Sequence, residues 1–446
     1  MSRTKCACPR RQATTGRLGR RWHTPVLHRR RALFALLATL AGSACAAGEP
    51  AETGAGPSGA APEAQAAPVR PGIEVLLSDS IHLVAGRRVG LITNHTGIDR
   101  QRRSDIDLLF DHPDVELVAL FAPEHGIRGD VQDGVAIASD VDARTGVPIH
   151  SLYGATRAPT PAMLEGVDVL LFDMQDIGAR YYTYVSTMAV SMEAAGSAGV
   201  PFVVLDRPNP VRGDVVQGNV LDPDFASFVG MFPVPMRHGM TPGELALLYA
   251  AEFGVDVDLR VVPVSGWSRA MAFDATALPW VPPSPNMPSL ESALSYPGTC
   301  LFEGTNLSVG RGTDRAFQWV GAPWLDAARV ITALEAYDFE GVRFEPTTFT
   351  PRAPSDGKYD GLEIPAVRIV GTTSNYDAPR VAVAMLVEIR RAHPADWGWL
   401  GTIDRLAGTD GLRLGVDAGL ELDALTAGWG TALAEFEALR EPHLLY

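Results

Sequence analysis

The sequence predicts an α/β protein in which a Rossmann-like, doubly wound domain is followed by a smaller α/β domain. Two observations predict this fold. From Gly86 onwards, short apolar runs alternate with amphipathic helical segments, which is typical of a parallel sheet covered by helices on both faces. Right-handed crossovers between such strands then give the doubly wound arrangement. The segment 93–97 reads Thr-Asn-His-Thr-Gly and lacks the Gly-x-Gly-x-x-Gly fingerprint, so the fold class does not imply a nucleotide cofactor.

The first domain is predicted to span residues 72–254. Its four apolar strands are expected at residues 88–93, 115–121, 167–172 and 201–205, with helices at residues 104–111 and 185–199. A further helix begins at Thr241, because Thr-Pro-Gly-Glu matches a capping box with proline in the first turn. It is expected to end near Phe253, where Gly254 follows.

The second domain is predicted to span residues 255–446 and to close a cleft against the first. Its expected elements are a strand at 259–264, a helix at 323–337, strands at 342–344 and 364–370, and a long helix at 378–392. A proline-rich loop at 279–288 and a glycine-rich loop at 303–313 lie between the strand at 259–264 and the helix at 323–337. No internal repeat is evident.

The N-terminal 45 residues are predicted to be an export signal. They contain ten Lys or Arg residues and no acidic residue, followed by an apolar run at 32–44. Thirteen helical residues reach only about 20 Å, which is short for a membrane span. Cys45 is then either the lipidated first residue of a lipoprotein, or part of a small-residue cleavage site after Ala46 or Ala47. Residues 46–71 are rich in Ala, Gly and Pro and are predicted to be a flexible linker.

The charge and the cysteine content exclude several classes of partner and site. Without the signal, 28 basic residues remain against 52 acidic ones, which argues against nucleic acid as a partner. Three of the four cysteines, Cys6, Cys8 and Cys45, lie in the signal region. Cys300 is then alone, so neither a disulfide framework nor a cysteine metal site is expected. A lone cysteine is most often a small packed residue.

Polar side chains follow all four strands of the first domain. In a parallel sheet, ligands bind at the carboxyl ends of the strands, so these residues predict a polar site at one edge. Helix caps and internal ion pairs are the structural alternative. The candidates are Asn94 and His95 after the first strand, Glu124, His125 and Arg128 after the second, Asp173, Asp176, Arg180 and Tyr182 after the third, and Arg207 and Asn209 after the fourth.

Glu124 is the leading catalytic candidate. It follows the strongly apolar strand Val-Ala-Leu-Phe-Ala, and desolvation there would raise its carboxyl pKa and suit it to act as a general acid. An ion pair with Arg128 or His125 would lower that pKa instead.

Asp173 and Asp176 are candidates for a second acidic group. Two carboxylates at one strand end can divide acid and base roles or bind a metal together with nearby histidines. Their spacing matches no specific metal motif, and an ion pair between Asp176 and Arg180 is the structural alternative.

The glycine-rich loop forms a second group of candidates. Glu303 supplies a carboxylate, Asn306 an amide and Arg311 a rigid fork for an anion, while Asn286 lies in the preceding proline-rich loop. The structural alternative is a turn held by an Arg311–Asp314 pair. Serine-histidine-aspartate chemistry has little support, because no Gly-x-Ser-x-Gly elbow is found.

Five motifs resemble those of the NamZ-type exo-β-N-acetylmuramidases, formerly a domain of unknown function. The resemblance runs from about Gly72 to the C-terminus. The motifs are Gly-Leu-Ile-Thr-Asn-His-Thr-Gly at 90–97, Ala-Pro-Glu-His-Gly-Ile-Arg-Gly at 122–129, Asp-Met-Gln-Asp-Ile-Gly-Ala-Arg-Tyr-Tyr-Thr-Tyr at 173–184, Leu-Asp-Arg-Pro-Asn-Pro at 205–210 and Phe-Glu-Gly-Thr-Asn-Leu-Ser-Val-Gly-Arg-Gly-Thr at 302–313.

The resemblance implies release of N-acetylmuramic acid from non-reducing ends of peptidoglycan fragments, with no metal or organic cofactor. It implies that Glu124, in the Pro-Glu-His-Gly motif, is catalytic. The departures from the family are Ala179 in place of an expected Thr and Val309 in place of an expected Glu. Because Val309 carries no carboxylate, Glu303 and Asp176 become the stronger candidates for the second catalytic group.

Glycoside hydrolysis normally uses two carboxyl groups. We expect Glu124 to protonate the leaving oxygen, with Glu303, Asp176 or the acetamido group of the substrate as the second group. The lactyl carboxylate of muramic acid needs a cation in this acidic protein, and the candidates are Arg180, Arg207 and Arg311. Two other functions stay open: a non-catalytic glycan-binding protein of the cell envelope, and a metal-dependent hydrolase of peptidoglycan peptides or esters.

Overall fold

A seven-stranded, mostly parallel sheet is the framework of the computed structural model, which describes residues 68–123, 126–127, 140–154 and 156–446. The predicted export signal and nearly all of the linker lie outside these residues. Glu124, His125 and Arg128 also lie outside them. The described residues belong to one compact unit.

The sheet has the order β3-β4-β2-β1-β5-β6-β9, and every neighbouring pair is parallel except the antiparallel edge pair β3–β4. Among the described residues there are twelve strands, of which seven form this sheet, three form a second sheet and two form a small third sheet. They are β1 Arg88–Thr93, β2 Glu116–Ala122, β3 Asp140–Val141, β4 Pro148–Ser151, β5 Val169–Asp173, β6 Phe202–Leu205, β7 Gln217–Val220, β8 Pro235–Arg237, β9 Leu259–Val262, β10 Trp319–Gly321, β11 Val342–Phe349 and β12 Ile364–Gly371.

Eleven α-helices are found among the described residues. They are α1 Gly72–Asp79, α2 Asp105–Phe110, α3 Tyr184–Ala198, α4 Pro242–Glu252, α5 Leu290–Thr299, α6 Ala327–Glu335, α7 Ala378–Ala392, α8 Ile403–Ala407, α9 Gly411–Asp417, α10 Leu422–Thr426 and α11 Trp429–Arg440. No helix in the described ranges is long and apolar enough to cross a membrane.

Helices cover both faces of the seven-stranded sheet. In β5, Val169 and Leu171 pack with α1 and α2 in one apolar cluster, whereas Leu170 and Phe172 pack with α3 and α4 in another. This alternation is the period-two pattern of a strand buried on both faces. The predicted doubly wound α/β class is therefore confirmed.

Several predicted helix ends are confirmed by their caps. The Ser104 side chain accepts from the backbone N–H of Ile106 at the start of α2. Thr241 and Glu244 form the predicted capping box of α4, in which each side chain accepts from the backbone N–H of the other residue. Gly199 ends α3 in the left-handed region, with φ 69°.

The chain changes direction between β1 and β5. From β1 it crosses to β2 on one side, and later returns to β5 on the other side, with Thr93 paired to Asp173 at the carboxyl ends. A crevice outside the carboxyl ends of the strands at such a switch point is the usual ligand site of an open α/β sheet.

The C-terminal half has its own antiparallel sheet, β10-β12-β11, which packs against α5 and α6, and α7 packs against these two helices. Its core is continuous with the α3–α4 cluster of the first sheet. Strand β9 follows the predicted domain boundary at residue 255 yet pairs with β6, so the first sheet extends beyond that boundary. The division of the chain into domains stays a prediction.

Candidate active site

A cavity of about 380 Å³ lies between the segment that follows β5 and the glycine-rich loop. This volume is within the ~300–1,000 Å³ typical of small-molecule sites. We call it the inner cavity. Its lining includes Tyr153, Tyr181, Tyr182, Thr183, Tyr184, Ser284, Asn286, Met287, Tyr296, Cys300, Glu303, Arg311, Phe317 and Ser355.

Glu303 and Arg311 form a half-buried ion pair in the wall of the inner cavity. Arg311 Nε donates to Glu303 Oε1 at 2.6 Å, and its Nη1 donates to Ser355 Oγ at 3.1 Å. Glu303 lies in a 3₁₀ turn, Cys300–Gly304, that continues α5. Because residues three apart share one side of such a turn, Cys300 Sγ lies 3.5 Å from Glu303 Oε2 and donates to it.

The loop that carries Arg311 depends on glycine. Gly310 and Gly312 both have left-handed backbone, with φ of 77° and 76°. A Cβ on Gly312 would lie 2.5 Å from the carbonyl oxygen of Arg352, so a larger residue would displace the loop. This close approach fixes the backbone next to Arg311.

Aromatic rings form the opposite walls of the inner cavity. Tyr182 makes edge contacts with Tyr184 and Tyr296, at centroid distances of 4.9 and 5.8 Å. The Tyr184 hydroxyl donates to the Pro283 carbonyl, and the Tyr181 hydroxyl donates to the Pro297 carbonyl. The tyrosines after β5 are therefore held against segments from the second half of the chain, and both halves shape the cavity.

Cys300 is part of this wall, although the sequence predicted only a packed residue. Burial, and then the neighbouring Glu303 carboxylate, raise the pKa of the Cys300 thiol well above its ordinary value. A thiol that stays protonated is a weak nucleophile and a possible hydrogen-bond donor.

Four of the predicted site residues, Tyr182, Asn286, Glu303 and Arg311, line the inner cavity. The Asn286 side-chain amide lies 3.4 Å from Ser355 Oγ. Three predicted carboxylates lie elsewhere or outside the described residues, as the next paragraphs report.

Asp173 and Arg207 form a buried ion pair below the switch point, between Arg207 Nε and Asp173 Oδ1. Arg207 also donates to the Ile98 carbonyl at 3.0 Å. Burial raises the pKa of Asp173, and the Arg207 guanidinium opposes that shift. The neighbouring Asp105 accepts from Thr93 Oγ1 at 2.5 Å, and burial and the Asp173 charge raise its pKa.

The Arg180 guanidinium is buried and donates to four backbone carbonyls. Nη1 contacts Asn219 and Val234 at 2.9 and 3.1 Å, and Nη2 contacts Leu406 and Ala407 at 3.0 Å each. Burial lowers the pKa of Arg180 to about 10, so the group stays charged at neutral pH. Both of its terminal nitrogens thus hold the loop after β5 to distant parts of the chain.

Three predicted asparagines make turn and loop contacts with the backbone. Asn94 Oδ1 accepts from Thr96 N at 2.9 Å. Asn209 accepts from Val211 N at 3.0 Å and donates to the Met240 carbonyl at 2.9 Å. Asn306 accepts from Gly398 N at 3.0 Å and donates to the Asp396 carbonyl at 2.7 Å. Asparagine side chains commonly complete turns and hold loops in this way, and none of the three lines the inner cavity.

Asp176 and His95 also lie apart from the lining of the inner cavity. Asp176 is buried, accepts from Gly178 N at 2.6 Å, and lies 3.6 Å from His238 Nε2. His95 Nε2 lies 2.8 Å from the Pro282 carbonyl. Within the described ranges, no three His, Cys, Asp or Glu side chains are grouped so as to hold a metal ion.

Sequence reasoning missed several residues of the cavity wall, among them Tyr153, Tyr296 and Ser355. Tyr153 follows β4, the strand that pairs with β2, so the strand-end rule would have found it had β4 been predicted. Ser355 lies between β11 and β12, and no sequence signal marks it.

The chain matches two adjoining family descriptions. Residues 89–291 match "Exo-beta-N-acetylmuramidase NamZ, N-terminal", and residues 294–446 match "Exo-beta-N-acetylmuramidase NamZ, C-terminal". The peptidoglycan beta-N-acetylmuramidase NamZ of Bacillus subtilis (strain 168) is 44% identical over 381 residues, which cover 85% of this chain and 91% of that protein.

The fold is also similar to that of two DUF1343 family proteins of Bacteroides fragilis NCTC 9343, known from crystal structures. One is 35% identical with a TM-score of 0.79, and the other is 30% identical with a TM-score of 0.68. Each comparison covers 85% of this chain and 99% of the other. Together with the motifs and the cavity, these similarities establish that the chain belongs to the NamZ family of exo-β-N-acetylmuramidases.

Proposed function

We propose that this protein is an exo-acting glycoside hydrolase that releases N-acetylmuramic acid from the non-reducing ends of peptidoglycan fragments. The observation that carries the proposal is a carboxylate, Glu303, in the wall of an aromatic cavity at the carboxyl edge of the sheet. The 44% identity to the peptidoglycan beta-N-acetylmuramidase of Bacillus subtilis also supports the proposal.

Glycoside hydrolysis normally uses two carboxyl groups, one to protonate the leaving oxygen and one to act as nucleophile or base, and the acetamido group of the substrate is the alternative to the second. We propose Glu124 for the first role, on the strength of its motif and its place after β2. Glu303 suits the second role, because it lines the inner cavity and its ion pair with Arg311 holds the carboxylate in place.

Glu303 is a better second group than Asp176. Glu303 contributes to the lining of the inner cavity, whereas Asp176 does not and is buried beside Gly178 and His238. A carboxylate must reach the anomeric carbon, or a water beside it, to take part in the reaction. Asp176 is therefore proposed to support the loop after β5.

The first experiment measures free N-acetylmuramic acid released from the disaccharide N-acetylmuramic acid–N-acetylglucosamine. The variants are Glu124→Gln, Glu303→Gln and Asp176→Asn, with the exposed Glu165→Gln as a matched control. We expect release by the wild type, a loss of about 10²-fold or more in each glutamate variant at the site, and near-normal rates for Asp176→Asn and the control.

Each other outcome assigns the chemistry differently. Full activity of Glu124→Gln would move the acid role to another residue. A severe loss in Asp176→Asn, with unchanged thermal stability, would make Asp176 the second group. Absence of release by the wild type would contradict the proposal and favour a glycan-binding protein.

We also propose that the protein is exported and either released into the periplasm or tethered to the envelope through a lipidated Cys45. Fractionation of cells that express the full chain tests this, combined with mass measurement of the mature N-terminus. Membrane association that is lost in Cys45→Ala supports the tether. A mature N-terminus after Ala46 or Ala47 supports ordinary cleavage, and an uncleaved cytoplasmic chain contradicts export.

A further inference from the structure

A second cavity of about 470 Å³ adjoins the inner cavity, and no function has been assigned to it. We call it the outer chamber. It shares Tyr153, Thr183, Val229, Glu303 and Leu406 with the inner cavity, so the two spaces meet at Glu303. A glycan bound with its scissile bond beside Glu303 would therefore extend from one space into the other.

The outer chamber carries two arginines, Arg157 and Arg405. Both are exposed at the residue level. The Arg157 guanidinium stacks over the Phe228 ring at 4.3 Å, which holds it in place and leaves its edge nitrogens for a ligand. Within the described part of the chain, neither arginine forms an ion pair, in contrast to Arg311.

Thr402 adds a hydroxyl-bearing side chain to the lining of the same chamber. Two cations and a neutral hydroxyl together favour an anionic ligand that also accepts hydrogen bonds.

The other cations proposed for substrate binding are already engaged. Arg180 donates to four backbone carbonyls, Arg207 pairs with Asp173, and Arg311 pairs with Glu303. The protein as a whole is acidic, so a carboxylated sugar needs local positive charge to overcome repulsion. The outer chamber offers that charge beside the proposed catalytic carboxylate.

We propose that Arg405 and Arg157 form a carboxylate subsite that recognises the lactyl group of muramic acid. This inference rests on the proposed function and assigns its substrate specificity to the outer chamber. The carboxylate can come from the terminal muramic residue that is released, or from the next muramic residue along the glycan. An arginine fork binds either one by charge-assisted hydrogen bonds.

The test compares four substrates, two disaccharides and two tetrasaccharides, in which the members of each pair differ only in whether one lactyl group is a free carboxylate or an ester. They are the muramic acid–glucosamine disaccharide, the same disaccharide with its lactyl group as the methyl ester, the corresponding tetrasaccharide, and the tetrasaccharide with only its internal lactyl group esterified. The variants are Arg405→Ala, Arg157→Ala and the conservative Arg405→Lys. The control is Arg87→Ala, which removes an equally exposed arginine before β1, at the opposite edge of the sheet.

We expect Arg405→Ala to raise KM for the free-acid disaccharide by roughly 10- to 100-fold with little change in kcat, as for loss of a hydrogen bond to a charged group. The methyl ester should react equally poorly with wild type and variant. Arg157→Ala should also raise KM for the free-acid disaccharide. Arg405→Lys should raise this KM less than Arg405→Ala does, and Arg87→Ala should have the KM of the wild type.

The pattern across substrates identifies the carboxylate. A loss on the disaccharide acid assigns the subsite to the terminal residue. A loss confined to the tetrasaccharide, and abolished by esterifying its internal lactyl group, assigns it to the next muramic residue. Equal kinetics of wild type and both alanine variants on all four substrates would overturn the proposal.

Failure of the proposed function would give a different result. In that case the wild type releases no N-acetylmuramic acid, and calorimetry with the unreacted glycans replaces kinetics. If Arg405→Ala then binds the acids more weakly than the wild type does, but binds the esters equally well, the carboxylate subsite is supported although the proposed hydrolase function is contradicted. Binding that is unaffected by the variant would overturn the subsite as well.

Discussion

Glu303 and Arg311 depend on each other. The Arg311 guanidinium contacts both Glu303 and Ser355, and it lies 5.4 Å from the centroid of the Phe317 ring. These contacts hold the guanidinium end of the Arg311 side chain, while the glycine-rich loop holds its backbone. The pair therefore holds the Glu303 carboxylate in one orientation toward the cavity, which is what a nucleophile or base requires.

Substitution of Arg311 tests this arrangement. Arg311→Met removes the charge and the guanidinium donor to Glu303, which leaves the carboxylate with the weak thiol donor of Cys300, so we expect kcat on the disaccharide to fall by roughly 10- to 100-fold. Arg311→Lys keeps the charge but loses the fork, so an intermediate rate is expected. Normal kcat in Arg311→Met would show that Glu303 needs no such partner.

Cys300 offers a second test at this scale. Because burial and Glu303 raise the pKa of its thiol, little thiolate exists at pH 8. We expect iodoacetamide to alkylate Cys300 at least ~100-fold more slowly in the native protein than in urea. Mass spectrometry of the Cys300 peptide measures both rates, and similar rates would contradict a buried, protonated thiol.

The same residue types serve sites and turns, which limits what the sequence predicts about single residues. The strand-end rule correctly indicated Tyr182 near the cavity. It also selected Asn94 and Asn209, whose amides complete turns in the structure. An asparagine after a strand suits both uses, and only the positions of distant backbone groups decide between them.

Arg180 connects several elements. It follows β5 and donates to carbonyls in β7, in the segment before β8 and at the end of α8. The segment that carries the cavity tyrosines is therefore fixed to the C-terminal half by one buried cation. The four hydrogen bonds of its terminal nitrogens stabilise this junction, and removal of the guanidinium takes a donor from each of four buried carbonyls.

We expect Arg180→Met to lower the free energy of unfolding by about 3 kcal/mol, because its four hydrogen bonds to buried carbonyls are lost, although the Val234 and Ala407 carbonyls keep a second donor, Leu221 N and Asn219 Nδ2. Urea denaturation measures the change. Lysine in Arg180→Lys can donate to only some of the carbonyls, so we expect the free energy of unfolding of this variant to lie between those of the wild type and Arg180→Met. If Arg180 instead binds substrate, Arg180→Met will keep wild-type stability and raise KM.

At the element scale, capping residues and hydrophobic periodicity predicted the helices whose ends and buried faces depend on neighbouring residues in the sequence. The capping box of α4 and the long amphipathic helix α7 lie where their patterns indicated. Helix α5 was not predicted, and Pro297 in its last turns would argue against a helix there. Its packing against α7, with Ala293 and Tyr296 in the shared core, depends on residues far away in sequence.

At the scale of the whole molecule, the C-terminal residue is joined to the first sheet. Tyr446 donates to Asp206 Oδ2 at 2.6 Å, directly after β6, and Thr241 Oγ1 donates to the same oxygen at 2.7 Å. Gly243 N donates to Oδ1 at 2.7 Å. Asp206 is fully buried, so burial raises its pKa to about 6, although these hydrogen bonds oppose the shift.

This buried carboxyl makes stability depend on pH. Between its ordinary pKa of 3.8 and its folded value of about 6, the folded protein binds more protons at Asp206 than the unfolded chain does. Its contribution to stability is therefore complete below pH 3.8 and is lost as the pH rises through about 6. A difference of about two pKa units corresponds to roughly 3 kcal/mol.

Asp206→Asn removes this titration and keeps a side chain of similar shape. We expect the unfolding free energy of the variant, minus that of the wild type, to increase by about 2 kcal/mol between pH 4 and pH 6.5 and to stay nearly constant at higher pH. Using the difference cancels the other carboxyl groups, such as Asp168, whose pKa Arg88 lowers to about 2. Tyr446→Phe, which removes a donor to the ionised carboxylate, should move the loss of stability to higher pH. A difference that is flat from pH 4 to 6.5 would mean that Asp206 is ionised throughout, and that its hydrogen-bond donors outweigh its burial.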